Sequence, residues 1–417
     1  MLSSSDKDVT QADEEELVRR ESRDTSGLRT AARWLAAAGV AAGLAVSSTP
    51  VATAAPAPAI VSPTAPVAGA PGDLLSYKQI MPKLIPWVPL DVQAWQISYV
   101  STDATGDPIQ VTGQLLVPTA PYPGERPLIG YAVGTQGMAD RCAASTMMSA
   151  GLEYEAPGIG ALLARGWAVV ATDYPGLGSS GLHPYNIGRA LGPSVLDSIR
   201  AARHFAPAGL ALDGPLALVG YSEGGGAAGW AAQLQPSYAP ELRLTGVAVG
   251  AVPADLEAEF HYLDNGLETG LLLWGAMGLA QEYPELDLEA ILNPAGKHWA
   301  WELRDSCLFP EWTLNALEHL GGHVDDYVTT NPLRDPAWLA RIRENKLGAS
   351  APAAPVLLAN AEFDEAVPVG TAHALADAWQ AGTSVEFRSL GPLEHVTGMP
   401  VFWLSAADWL GQRFAHQ

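Results

Sequence analysis

The sequence predicts an α/β protein: a mostly parallel sheet with helices on both faces and a helical cap inserted between two of its strands. Three observations carry this. Apolar runs at 127–133, 167–172, 215–220, 244–252 and 355–359 alternate with helix-patterned segments. Runs without polar alternation are what strands buried on both faces look like. The third run leads directly into Gly220-Tyr221-Ser222-Glu223-Gly224 and then into a helix of small residues. Finally, 257–345 shows several helical patterns and no convincing strand. That is roughly 90 residues where connections seldom exceed about 15.

In chain order, residues 1–33 are polar and charged, and 34–46 form a run of mainly Ala, Gly, Val and Leu behind Arg29 and Arg33. The run is too short to span a bilayer and suits the apolar region of an export signal. Ala52-Thr53-Ala54 follows as an A-x-A pattern, so 1–54 read as a leader cleaved after Ala54. An Ala/Pro-rich linker, 55–72, is set outside the fold. The core is expected over 73–256 and 346–417, with the cap at 257–345. Residues 94–101 and 109–117 alternate around Gly-Asp-Pro and predict a hairpin. Helices are expected at 155–166, 193–206, 223–234, 370–380 and 400–415, with a last strand at 384–390. No run after the leader is long and apolar enough to be a membrane span.

Composition narrows the partners. The 417 residues carry a formal charge of −22, which lacks the basic footprint of nucleic-acid binding and disfavours docking on anionic lipid. Hydrophobic residues are 48% of the chain, enough for a sizeable core. The two cysteines, Cys142 and Cys307, read as one disulfide in an exported chain, the alternative being two buried thiols. A bridge would close a loop of about 165 residues, for which chain entropy gives roughly 4–5 kcal/mol.

The chemistry centres on Ser222. A G-x-S-x-G pattern turns a strand sharply into a helix and leaves the serine hydroxyl exposed at the apex, with small neighbours letting strand and helix approach. With 42 glycines the pattern arises by chance ~0.2 times in such a chain, so its context carries the assignment. The buried strand before it and the Gly/Ala helix start after it supply that context. This is the nucleophile elbow of the α/β-hydrolase fold, in which the order is Ser, then Asp or Glu, then His. A serine hydroxyl needs a base to take its proton and an acid to orient that base. The acid belongs after a late strand; Glu362, Asp364 and Glu365 follow 355–359, and Asp364 is selected because Val367-Pro368 resembles the turn into the next helix. The base belongs after the last strand, where His395 stands alone. Oxyanion donors are expected from the amide of Glu223 and from Gly134-Thr135-Gln136-Gly137, with Gly137 or Gln136 as candidate.

Together these segments resemble the secreted lipase family of actinobacteria and yeasts, which includes yeast lipase A. Gly134-Thr135-Gln136-Gly137 with Cys142 and Ser145 is similar to that family's oxyanion-loop segment. The loop 172–178 with His183-Pro184-Tyr185 is similar to its loop before the nucleophile. The residues 197–202, the elbow, Asp364 with Val367-Pro368, and His395 complete the match over roughly 74–415. The resemblance implies a helical cap over an acyl-binding tunnel, oxyanion donors at Gly137 and Glu223, and a Cys142–Cys307 bridge tying core to cap. It further implies no metal or cofactor, lipid or small ester substrates, and work at a lipid–water interface. The chain departs from it in lacking a further cysteine pair and in continuing only 22 residues past His395, which leaves no long C-terminal flap. The expected activity is a secreted lipase acting through Ser222, His395 and Asp364. A short-chain carboxylesterase or an acyltransferase on the same triad is the alternative, and a non-catalytic binder of hydrophobic ligands the rival outside enzymes.

Two features are set aside. His319 and His323 lie four apart, but Gly321-Gly322 between them breaks the helix that would align them on a zinc ion. Asp173 is assigned a structural role.

Overall fold

A computed structural model describes residues 59–415 except 265 and 267. The leader, its cleavage point at Ala54 and the first residues of the linker lie outside the described residues. Eleven strands are described: β1 (Leu74–Gln79), β2 (Lys83–Ile85), β3 (Val88–Pro89), β4 (Val92–Thr102), β5 (Pro108–Pro118), β6 (Leu128–Ala132), β7 (Ala168–Tyr174), β8 (Leu216–Tyr221), β9 (Gly246–Gly250), β10 (Val356–Asn360) and β11 (Val385–Ser389). Nine form one sheet in the order β1-β4-β5-β7-β6-β8-β9-β10-β11, and β2 and β3 form a separate ribbon. Pairing is antiparallel from β1 through β7 and parallel from β7 to β11.

β6, β7, β8, β9 and β10 are buried along their whole length, as the unbroken apolar runs require. The expected hairpin is β4–β5, paired from Val92–Pro118 to Thr102–Pro108. β1 gave no periodic signal because it is an edge strand with all but its first residue exposed. β6 pairs with both β7 and β8, so the strand order reverses there. In open α/β sheets such a reversal leaves a crevice at the carboxyl ends of the strands.

Three helices differ in extent from the sequence reading, each at a proline. The helices Gly188–His204 and His395–Phe414 begin more than a turn before Pro193 and Pro400, and Glu223–Tyr238 continues through Pro236. A proline removes one intrahelical bond. Burial of Ala190 and Leu191 ahead of Pro193 outweighs that loss in the first helix. His395 is therefore the first residue of the last helix, not a loop residue. That helix is held by a capping box between Glu394 and Thr397.

The segment set outside the fold at 55–72 is a second correction. From Ala59 onward it lies on the protein: Ile60 is buried, Pro66 bridges Ile109, and Arg304 donates to the Ala59 carbonyl at 2.6 Å. Its Ala/Pro composition hid this because its anchors are single side chains without a period.

Between β9 and β10 the described residues form helices, among them Leu256–Leu263, Thr269–Glu282, Pro294–Arg304 and Pro336–Glu344, and no strand. Trp274, Trp299, Leu303, Trp338 and Ile342 make a second apolar core there, continuous with Tyr185, Ile187 and Ala190.

Candidate active site

Ser222 sits between β8 and the helix Glu223–Tyr238 with φ 60° and ψ −128°. A non-glycine residue pays for that conformation, so the surroundings must enforce it. Its N–H donates to the Gly250 carbonyl at 3.0 Å, and its carbonyl accepts from Gly226 N–H at 3.0 Å. The approach is close enough that a Cβ on Gly220 would stand 2.0 Å from the Gly224 carbonyl oxygen, and one on Gly224 2.1 Å from that of Ala132.

Asp364 follows β10 and is buried, its Oδ1 accepting from the amides of Ala366 at 3.1 Å and Val367 at 2.7 Å. Those bonds aim the carboxylate at His395, whose Nδ1 lies 2.9 and 3.0 Å from Oδ1 and Oδ2. With Nδ1–H donating to the carboxylate, Nε2 is left to accept from Ser222 Oγ, 2.8 Å away. The backbone of His395 is fixed at both ends. Its N–H donates to Glu365 Oε2 at 2.9 Å, and its carbonyl accepts from Tyr221 OH at 2.7 Å. Thus Ser222, His395 and Asp364 come together in one hydrogen-bonded line. Glu362, the other alternative acid, instead accepts from Ser389 Oγ at 2.8 Å.

The loop after β6 is clamped on both sides. Gly134 N–H donates to Glu155 Oε2 at 2.7 Å, Gln136 O accepts from Leu308 N–H at 2.9 Å, and Met138 N–H donates to Ser306 O at 2.9 Å. Cys142 and Cys307 are joined by a disulfide beside this contact. Gly137, at φ +128°, faces the backbone of Cys307, where a Cβ would meet Ser306 O at 2.5 Å. It does not line the cavity that contains Ser222; from this loop Thr135 does. The twist of the loop onto the Ser306–Leu308 segment turns Gly137 away, which spacing along the sequence does not reveal.

Glu223 contributes more than its backbone. Its Oε1 lies 2.7 Å from His183 Nε2 with both side chains fully buried, and His183 Nδ1 lies 3.2 Å from Pro175 O. Asp173 accepts from Ser145 N–H at 2.7 Å, Ser145 Oγ at 2.6 Å and Thr112 Oγ1 at 2.8 Å, which holds the start of the helix Ala144–Ala150 to the sheet. Burial pushes its carboxyl above the ordinary range. His319 stacks on Trp299 at 4.2 Å and bonds Tyr327 OH at 2.9 Å.

The cavity measures about 340 Å³. Residues after β6, β8, β9, β10 and β11 line one side, and the helical segment, including Leu256, Phe260, Leu271 and Trp338, lines the other. Glu259 and Glu268 also line it, with no signal in the sequence to mark them. Charged residues within helical patterns ordinarily mark a solvent face.

A family model described as secretory lipase matches residues 142–417. A probable inactive lipase of Mycobacterium tuberculosis is 30% identical over 360 residues, covering 83% of this chain and 79% of the relative. A secreted triacylglycerol lipase of Malassezia furfur is 28% identical over 347 residues, covering 78% of this chain and 68% of the relative. Among solved structures, lipase A of Candida antarctica superposes with a TM-score of 0.73 at 25% identity, covering 84% of this chain and 83% of that one.

Proposed function

The chain belongs to the secretory lipase family and is an ester hydrolase, and on that premise we propose that it is an exported lipase that uses Ser222, His395 and Asp364 in a two-step acyl transfer. The observation that carries this reading is the line from Asp364 through His395 to Ser222 Oγ at hydrogen-bond distances, opening on an apolar cavity. Ser222 Oγ attacks the ester carbonyl while His395 Nε2 takes its proton, and Asp364 stabilises the imidazolium. His395 then protonates the leaving alcohol. Water, deprotonated by the same imidazole, attacks the acyl-enzyme and releases the acid.

The tetrahedral oxyanion needs donors beside Ser222. The amide of Glu223, at the start of its helix, is the first. For the second we assign Thr135 rather than Gly137, since Thr135 is on the cavity wall and its N–H has no partner among the described residues. The apolar helical segment acts as a cap over the site and receives the acyl chain. Lipid esters that fill such a cavity are the favoured substrates, presented at a lipid–water interface, and no metal or cofactor takes part in the steps above. A disulfide fits an oxidising compartment, in keeping with the leader read from the sequence.

The test is hydrolysis of p-nitrophenyl esters from acetyl to palmitoyl by the chain from Ala55, beside Ser222→Ala. Long-chain turnover is expected, with kcat in the variant lower by about 10⁴-fold or more and a mass adduct from a serine-directed phosphonate only in the parent. Turnover limited to acetyl and butyryl esters would replace lipase by carboxylesterase. Equal rates in parent and variant would remove Ser222 from the mechanism.

A further inference from the structure

The cavity is apolar over most of its wall, yet among the described residues four glutamates line it and no lysine or arginine does. Two have partners: Glu223 meets His183, and Glu365 accepts from the His395 amide. The other two have none. Among the described residues, no hydrogen bond reaches the carboxyl groups of Glu259 or Glu268. Glu259 is only 6% exposed and its Oε1 is wholly buried without a partner. It projects from the helix Leu256–Leu263 among Leu256, Phe260 and Leu263, which line the same cavity.

A hydrocarbon chain lying against Glu259 would leave that carboxyl unsatisfied, at a cost that a hydrogen-bonding group on the ligand removes. The chemistry of the wall says which group. Carboxyl groups stand there beside the aromatic side chains of Phe260, Trp312 and Trp338. Carboxylates and aromatic faces both attract cations and repel anions. Burial holds Glu259 well above the usual carboxylate range and pushes Glu268 up to about 7. A cation between them favours the ionised form. The net charge of −22 also raises the local concentration of cationic substrates.

Resting on the assignment of Ser222 as nucleophile, we propose that this cavity selects esters whose buried arm carries a protonated amine, received by Glu259 with Glu268 as a second carboxyl. Lipid esters with an amine in the buried arm are thus preferred over their purely hydrocarbon counterparts.

The experiment compares matched pairs at pH 7. For an amine in the acyl arm, p-nitrophenyl 6-(dimethylamino)hexanoate is set against p-nitrophenyl 7-methyloctanoate. For one in the alcohol arm, 2-(dimethylamino)ethyl butyrate is set against 3-methylbutyl butyrate. In at least one pair kcat/KM should favour the amine by about ten-fold, and Glu259→Gln should reduce that ratio by a similar factor. Glu268→Gln, at a half-exposed position, gives a second reading of the same ratio, with a fall of about three-fold expected. Preference for the neutral ester in both pairs, or a ratio unmoved by the substitutions, overturns the proposal. If no ester is cleaved and the phosphonate leaves Ser222 untouched, the nucleophile assignment fails, and the pocket is judged by binding alone. N,N-dimethylhexylamine titrated into the Ser222→Ala protein should bind about ten-fold more tightly than into Ser222→Ala/Glu259→Gln, and equal or absent binding overturns the proposal.

Discussion

Glu223 shows how one residue can serve two ends. Its amide begins the helix behind Ser222, and its carboxyl is buried against His183 at 2.7 Å. In the sequence only the amide has a legible role, because a glutamate in a G-x-S-x-G pattern has no mandatory partner. Removing His183 would leave the buried Glu223 carboxyl without its hydrogen-bond partner and the ring's volume unfilled, at a cost of about 2–4 kcal/mol. His183→Ala is therefore expected to lower the urea midpoint strongly. Glu223→Gln, which keeps a hydrogen-bonding atom near the ring, should cost about 1–2 kcal/mol. Equal losses in the two variants would mean that the pairing carries no special weight.

At the scale of elements, the site depends on how closely β6, β8 and the helix Glu223–Tyr238 meet. A Cβ on Gly224 would strike the Ala132 carbonyl oxygen at 2.1 Å, a backbone atom that cannot swing aside. Gly224→Ala should push the helix off β6, separating Ser222 from the loop that holds Thr135, with a loss of about 1–3 kcal/mol and most of the esterase activity. Gly370→Ala is the control. It lies in the helix Val369–Gln380 with open space around its Cβ position, and should gain about 0.5–1 kcal/mol with activity retained. Thermal melts and initial rates of the two variants check both outcomes. The elbow itself was legible in the sequence because strand, turn and helix are contiguous there.

Across the molecule, several carboxyls are buried with no cationic partner among the described residues. Glu153 and Glu282 are both raised to about 7, chiefly by burial. The unfolded chain releases these protons near 4.5 while the folded protein keeps them to about 7. Folding then binds protons, so stability is fullest below 4.5 for these groups and falls as pH rises toward 7, by roughly 1.4 kcal/mol per pH unit for each group at most. The charge of −22 acts in the same direction as it develops. Melting temperature should decline from pH 5 to pH 8, and Glu153→Gln with Glu282→Gln should flatten the decline. A melting temperature that rises over this range would show that the two carboxyls are not held protonated.

The amino-acid sequence by itself determined the strand and helix alternation, the elbow and the order of Ser222, Asp364 and His395 along the chain. These features are written in contiguous hydrophobic patterns and in short motifs whose backbone demands are local. Tertiary structure alone decided that His395 opens a helix, that Thr135 rather than Gly137 faces the cavity, that residues 59–72 lie on the fold, and that Glu259 lines an apolar pocket. Three of these depend on a neighbour distant in sequence: Cys307 for the loop, Arg304 for the leading segment, and the walls of the cavity for Glu259. A side chain's environment is set by what packs against it, and periodicity along the chain carries no record of that.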